Sequence, residues 1–241
     1  MQTNLYQITP DDQPALAEIG ALLRAGGLIG IPTETVYGLA ANALDGQAVA
    51  KIFQAKGRPQ DNPLIVHIAA FSQLYPLVGE VPTQAIRLAR AYWPGPLTMI
   101  LPKSPAIPEE VSAGLDTVAV RMPSHPLARA IIQAAGVPLA APSANLSGSP
   151  SPTTAQHVLA DMAGRIQAVV DGGPCSVGVE STVVTLASPC PRLLRPGGIT
   201  PEQLRAVLGK VEIDRAVEEQ LAVGEKADAS SGANAALLYG E

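Results

Sequence analysis

Strand-like and helix-like segments alternate along the first 208 residues, and each segment is bounded by Gly or Pro. The first helix is predicted to start after Asp12, which suits a cap, and to end before Gly26 and Gly27. Further helices are predicted at about 46–56, 82–92, 125–135, 153–162 and 201–208. Strands are predicted at about 28–31, 64–68, 97–101, 117–122, 138–141, 166–171, 182–187 and 192–195. Several neighbouring strands lack an intervening helix, so the pattern predicts an α/β fold with a mixed rather than purely parallel sheet.

The composition fits a compact globular protein, with 47% apolar and 15% charged residues in 241 positions. No apolar run approaches the roughly 20 residues that span a bilayer, and the N-terminus lacks the basic and apolar regions of a secretory signal. We therefore expect no membrane association and a cytoplasmic location. Cys175 and Cys190 form no CxxC pair, which argues against a disulfide framework or a zinc finger.

The net charge of -5 is concentrated near the C-terminus. Residues 1–208 carry 13 basic and 14 acidic side chains, whereas residues 209–241 carry 3 and 7. A nearly neutral body does not predict tight nucleic-acid binding, although it is compatible with a weak RNA contact through a local basic patch.

The last 32 residues differ from the body in composition. The spacing of Val211, Ile213, Val217 and Leu221 predicts one more short element, and residues 224–236 are rich in Ala, Ser, Gly and Asn. We therefore divide the chain into a domain at 1–209 and an acidic, linker-like tail at 210–241, with flexibility expected from about residue 224.

Neither of the common nucleotide-binding signatures, GxxxxGK[ST] and a strand-borne GxGxxG, occurs in the sequence. Two segments offer other ways to hold a ligand. Pro32–Gly38 follows a strand and presents short hydroxyl side chains, which a capped turn would also explain. Lys56 and Arg58 are suited to bind phosphate, but cations are also favoured at the end of a helix.

Two strands carry a polar side chain among apolar neighbours. In the strand at 64–68, Ile65 and His67 share one face, and a lone His there is either a core residue or a ligand. In the strand at 117–122, Thr117, Ala119 and Arg121 share one face. Arg121 requires an anion, which is either a carboxylate of the protein or a carboxylate of a substrate.

Three loops follow predicted strands and collect polar groups or glycines. The first, 140–148, contains two serines and an asparagine, and the second, 171–182, is rich in glycine. These glycines either permit close approach of a ligand or only form turns. The third loop begins at Arg195, which places a further cation at the end of a strand.

Together these segments resemble the YrdC-like family of threonylcarbamoyl-AMP synthases over about residues 10–208. Seven motifs agree in order: PTETVYGL, KGRPQDNPLIVHI, WPGPLTMIL, TVAVRMPSHP, APSANLSGSPSPT, GVESTVV and LLRPG. The resemblance implies a twisted mixed sheet with surrounding helices and a deep cleft for ATP and L-threonine. It is closest to larger members that continue through a linker into a second domain, and residues 229–234 do not match the motif of that linker.

The resemblance also implies a role for individual residues. The threonine ligands would be Thr35, His67, Arg121, Ala141 and Ser181, with Arg121 on the carboxylate. The ATP ligands would be Arg58, Asn62, Thr117, Ser143, Ser151 and Arg195. Lys56, Arg58 and Arg195 would be the catalytic cations, acting with Mg²⁺, for which no protein ligand is assigned.

The implied reaction joins L-threonine, bicarbonate and ATP into threonylcarbamoyl-AMP and pyrophosphate. The product would then pass to the machinery that modifies the adenosine beside the anticodon of certain tRNAs. Two alternatives compete with this interpretation: a carbamoyl-adenylating domain related to hydrogenase maturation, and a non-catalytic module that binds double-stranded RNA.

Overall fold

A computed structural model describes residues 2–219, and within them eleven strands form one mixed sheet. The strands are β1 (Asn4–Gln7), β2 (Ile29–Ile31), β3 (Gly38–Asn42), β4 (Ile65–His67), β5 (Leu97–Pro102), β6 (Thr117–Arg121), β7 (Leu139–Ala140), β8 (Ala168–Asp171), β9 (Thr182–Thr185), β10 (Arg192–Arg195) and β11 (Glu212–Ile213). Their order is β1-β8-β2-β3-β7-β4-β6-β5-β9-β10-β11, and parallel and antiparallel pairs both occur. The predicted mixed sheet is confirmed.

Residues 215–219 are helical, and upstream of them seven α-helices and one 3₁₀ helix lie between the strands of the described part of the chain. They are α1 (Gln13–Arg24), α2 (Gly46–Lys56), the 3₁₀ helix (Phe71–Leu77), α3 (Thr83–Tyr92), α4 (Glu109–Ser112), α5 (Pro126–Ala135), α6 (Ala155–Met162) and α7 (Pro201–Leu208). All six predicted helices are present within two residues of the expected bounds, because each has a clear start or stop signal.

Caps at helix ends determine where two helices meet the loops around the sheet. Asp12 accepts a hydrogen bond from the Ala15 amide and starts α1, as predicted. Asp45 caps α2, and Gly57 ends α2 in the left-handed conformation with φ of 60°. The turn at Gly57 directs the chain away from the helix axis, so that Arg58 follows in the loop leading to β4.

The sequence patterns did not predict β1, β3, α4 or the 3₁₀ helix, whereas β11 lies where one more short element was predicted. Strand β3 has the sequence GLAAN, and Gly, Ala and Asn have low strand propensity, so only its burial between β2 and β7 makes it a strand. The sheet also continues beyond residue 209, where we placed the domain boundary: β11 pairs with β10, and Val211 and Val217 are buried in the core. The flexibility expected from residue 224 lies outside the described residues.

Two apolar clusters fill the space between the sheet and the helices. Side chains of β6 alternate between the two faces of the sheet. Val118 and Val120 point into the larger apolar cluster, so Ala119 and Arg121 point to the opposite face. No helix in the described part of the chain is long and apolar enough to cross a membrane.

Candidate functional site

A cleft of about 340 Å³ opens beside the centre of the sheet, where β4 and β6 run parallel. Ile65 lies opposite Ala119 and His67 lies opposite Arg121, so one face of the two strands forms its floor. Nine predicted site residues line it: Thr35, Arg58, Asn62, His67, Arg121, Ala141, Ser143, Ser181 and Arg195. The backbone places the loop after β7 here, because the Ala141 amide donates to the Ile65 carbonyl and Gly38 bridges to Ser143.

Arg121 is buried in the cleft floor and has an anionic partner within the protein. Its Nη2 lies 2.6 Å from Oε1 of Glu34, a charge contact that lacks the angles of a hydrogen bond. Arg121 Nη1 donates to Thr35 Oγ1 at 2.9 Å, and Nε donates to the Gly95 carbonyl. Glu34 in turn accepts from the Ser124 amide at 3.2 Å. A guanidinium has five N–H donors, so Arg121 still has donors for a substrate carboxylate while Glu34 holds it in place.

His67 is buried and neutral. Burial and then the positive charge of Arg121 lower its pKa to about 3. Its Nδ1 lies 3.1 Å from the Ile65 carbonyl, which can only accept, so Nδ1 carries the proton and Nε2 is the acceptor. His67 can therefore accept a hydrogen bond from a ligand but is too weakly basic to take a proton from an ammonium group at neutral pH.

Arg195 and Ser181 connect the inner part of the cleft, which contains Arg121, with the outer part, which contains Arg58. Arg195 Nη2 donates to Ser181 Oγ at 3.0 Å, and Ser181 Oγ lies 2.8 Å from Thr98 Oγ1 in a buried contact. Arg195 Nη1 also pairs with Glu180 at 2.5 Å. Burial lowers the pKa of Arg121, and the positive charge of Arg195 adds to that lowering, so the two guanidinium groups lie within electrostatic reach of each other.

Arg58 is the least satisfied cation of the cleft. Its Nη2 has only two long contacts of 3.5 Å, to the carbonyls of Asn62 and Pro63, and its buried Nε has no hydrogen-bond partner among the described residues. A buried donor without a partner costs about 1–3 kcal/mol, so an anion bound here would relieve that cost. This supports the phosphate-binding interpretation of Arg58 over a role at the helix end alone.

Lys56 does not line the cleft, although we expected it to be a catalytic cation there. It is 2% exposed, and its Nζ donates to the carbonyls of Ser143 and Asn145 at 2.5 and 2.6 Å. Burial and the charge of Arg58 lower its pKa to about 8. Lys56 therefore holds the loop that carries Ser143, and the structure does not place its ammonium against a ligand.

Thr117 and Ser151 are also absent from the cleft lining. Thr117 shares a face with Arg121 as predicted, but four residues of a strand separate them by about 13 Å. Ser151 is linked to the cleft by one hydrogen bond. Its Oγ donates to Oε1 of Glu180 at 3.0 Å, and Glu180 lines the cleft.

Two carboxylates, Glu34 and Glu180, are functional candidates that we did not select from the sequence. The buried Arg121 indicated that an anion was needed, but many carboxylates satisfy that condition. Among the described residues that line the cleft, Glu180 is the one carboxylate, and the described part of the chain holds no group of three potential metal-binding side chains.

The fold and the cleft define an α/β protein with one buried and two half-buried Arg residues at one sheet face, an arrangement suited to anionic ligands. Comparison with known proteins is more specific. Residues 21–197 match the model of the Sua5, YciO and YrdC family, described as telomere recombination. The chain belongs to this family.

Named relatives and a solved structure agree with that match. The chain is 57% identical over 210 residues to threonylcarbamoyl-AMP synthase of Bacillus subtilis, covering 87% of this chain and 61% of the relative. It is 55% identical over 195 residues to that of Pyrococcus abyssi, covering 81% and 57%. The structure of P. abyssi Sua5 complexed with L-threonine superposes with a TM-score of 0.87 at 50% identity, covering 90% of this chain and 64% of that one. The chain thus spans about 60% of the length of these relatives.

Proposed function

We propose that this chain is an L-threonylcarbamoyladenylate synthase, which forms threonylcarbamoyl-AMP and pyrophosphate from L-threonine, bicarbonate and ATP. The observation that carries the proposal is the arrangement of cations in one cleft, with Arg121 at the buried floor and Arg58 and Arg195 farther out. Such a cleft fits a small carboxylate next to a polyphosphate. The relatives named above carry this activity in their names.

The inner part of the cleft has groups for an amino acid. Arg121 is the partner for the carboxylate of L-threonine, while Thr35, Ser181 and the acceptor Nε2 of His67 offer hydrogen bonds to its amine and hydroxyl groups. A site that pairs a buried acceptor with a substrate hydroxyl discriminates strongly against an analogue without it. We therefore expect L-threonine to be used in preference to L-valine.

The chemistry needs little from the protein beyond positioning and charge stabilisation. The neutral amine of threonine bonds to the carbon of bicarbonate and one water leaves with the amine proton, which gives a carbamate. A carbamate oxygen then bonds to the α-phosphorus of ATP as the bond to pyrophosphate breaks. Arg58 and Arg195 stabilise the negative charge on the phosphates, and the neutral His67 avoids protonating the carbamate. Mg²⁺ bound to the triphosphate would supply further charge neutralisation.

The product is a mixed anhydride and therefore an activated donor of the threonylcarbamoyl group. We propose that it passes to the machinery that transfers this group to the adenosine beside the anticodon of tRNA, and that the protein acts in the cytoplasm. Contact with RNA would be weak, because residues 1–208 are nearly neutral.

Pyrophosphate release from Mg-ATP tests the proposal against its alternatives. We expect release to require both L-threonine and bicarbonate and to be much slower with L-valine. Release that depends on carbamoyl phosphate would instead favour a carbamoyl-adenylating activity. Absence of turnover, with binding of double-stranded RNA, would favour a binding module.

A further inference from the structure

Glu180 is a carboxylate placed among the cations of the nucleotide half of the cleft. Its Oε2 contacts Arg195 Nη1 at 2.5 Å, and its Oε1 accepts from Ser151 Oγ at 3.0 Å. Burial lowers the pKa of Arg58 and of Lys56, and the negative charge of Glu180 opposes that lowering. Its side chain remains 39% exposed, so both oxygens can reach a ligand in the cleft.

Three of the five N–H donors of Arg195 have partners within the protein. Its Nε and Nη2 bind the carbonyl and hydroxyl of Ser181 at 3.0 Å each, and Nη1 binds Glu180. A triphosphate that approaches Arg195 therefore meets Glu180 beside it. Two anions at such close range repel each other unless a cation lies between them.

The charges of this region favour a nucleotide whose own charge is partly neutralised by a metal ion. Of the side chains that line it, Arg58 and Arg195 contribute two positive charges and Glu180 one negative charge, which leaves a net charge of +1. Mg-ATP carries about -2 at neutral pH, whereas free ATP carries about -4. Without Glu180 the same lining would carry +2 and favour the free nucleotide more strongly.

The ligand set also fits Mg²⁺. This ion commonly takes one or two protein carboxylates and completes its shell with substrate phosphates and water. In the described lining of the cleft Glu180 is the one carboxylate, and no preformed group of three acidic, His or Cys ligands occurs in residues 2–219. A metal ion at this site must therefore arrive with the nucleotide and share its phosphates.

We propose that Glu180 is an exchangeable counterion that selects the metal-bound nucleotide. In the free protein it pairs with Arg195 and holds Ser151. When Mg-ATP enters, Arg195 turns to the triphosphate and a Glu180 oxygen binds Mg²⁺. This inference rests on the proposed function, because it requires that the cleft binds ATP.

Calorimetric titration with ATP, in Mg²⁺ and separately in EDTA, tests this role without requiring turnover. The wild-type chain should bind Mg-ATP more tightly than free ATP. In Glu180→Gln the preference for Mg-ATP should fall about tenfold, because free ATP is no longer repelled and Mg²⁺ loses a charged ligand. With Mn²⁺ in place of Mg²⁺, the electron paramagnetic resonance of the bound metal should change in the same variant.

Glu202→Gln is the matched control, since it removes one negative charge from a fully exposed side chain on α7. It should leave the preference unchanged. Glu180→Asp keeps the carboxylate and should keep most of the preference, which gives a second measurement if Glu180→Gln does not fold.

Equal changes in the affinities for free and metal-bound ATP in Glu180→Gln would overturn the inference and leave the proposed function intact. The same holds if Glu180→Asp loses the preference completely. Failure of the wild-type chain to bind ATP in either condition would instead contradict the proposed function.

Discussion

At the scale of single residues, the buried pair of Arg121 and Glu34 combines binding with stability. Both side chains are less than 8% exposed, and each is the charge partner that allows the other to be buried. Removal of one partner leaves an uncompensated charge, whereas removal of both leaves none. Mutation of one partner or of both can therefore separate the effect of this pair on stability from its effect on threonine binding.

Arg121→Ala should lower the free energy of unfolding by about 3–5 kcal/mol and abolish the response of pyrophosphate release to L-threonine. The double variant Glu34→Gln with Arg121→Met should recover most of the stability, because no buried charge remains, but none of the response to threonine. Urea unfolding and a threonine titration measure the two effects. A double variant as unstable as Arg121→Ala, or one that still responds to threonine, would contradict this account.

Lys56 gives a pH dependence whose sign follows from its lowered pKa. The folded chain releases the Lys56 proton at about pH 8, whereas the unfolded chain holds it to the ordinary, higher pKa of lysine. Between these values the unfolded state binds more protons, so the free energy of unfolding rises with pH. The contribution is at most about 1.4 kcal/mol per pH unit.

Urea unfolding between pH 7.5 and 9.5 should show this rise in the wild-type chain relative to Lys56→Met. Lys210→Met, which alters an exposed lysine, should follow the wild type. Identical pH trends in the wild type and Lys56→Met would mean that Lys56 is not held as a buried ammonium.

The sequence identified the cations at this scale but not their partners. Arg121 among apolar neighbours required an anion, and Glu34 provides it from a loop 87 positions earlier in the chain. Lys56 and Arg58 are two residues apart and suggested a common role. The turn at Gly57 separates them, because Lys56 ends a buried helix face while Arg58 follows in the loop.

At the scale of elements, the close approach of two loops positions Arg195 against β9. A Cβ on Gly197 would lie 2.4 Å from the Thr182 amide nitrogen and 2.5 Å from the Glu180 carbonyl oxygen. Both atoms belong to the backbone and cannot turn aside, so any larger side chain must push the two segments apart.

Gly197→Ala should therefore destabilise the protein by about 1–3 kcal/mol and reduce turnover more than tenfold, because it displaces Ser181 and Arg195 together. Gly79→Ala is the control, since its nearest neighbour would be the Lys103 carbonyl oxygen at an ordinary 3.9 Å. Thermal unfolding and pyrophosphate release compare the two. If Gly197→Ala behaves like Gly79→Ala, the close packing does not determine the site.

Elements with their own local signals were predictable, and elements defined by tertiary burial were not. The helix α7 has a Thr200 cap with Gln203 and was predicted within its bounds. The strand β3 has no such signal, yet its position between β2 and β7 aligns the loop after β2 with the cleft.

At the scale of the whole molecule, the sheet collects a site from segments far apart in the sequence. Thr35, in the loop between β2 and β3, and Arg195, at the end of β10, line the same cleft because β7, β4, β6, β5 and β9 lie between β3 and β10 in one sheet. Periodicity indicates which face a residue occupies but not which strands are neighbours. Agreement of seven motifs in order supplied that missing information through the resemblance.

Formation of the product from labelled bicarbonate tests the central claim most directly. The chain is incubated with Mg-ATP, L-threonine and ¹³C-bicarbonate, and the nucleotide products are separated and weighed by mass spectrometry. The account predicts threonylcarbamoyl-AMP with the label in its carbamoyl carbon, in amounts equal to the pyrophosphate released, and none in Arg121→Ala. Pyrophosphate released without labelled product, or a labelled product that forms equally well without L-threonine, would contradict it.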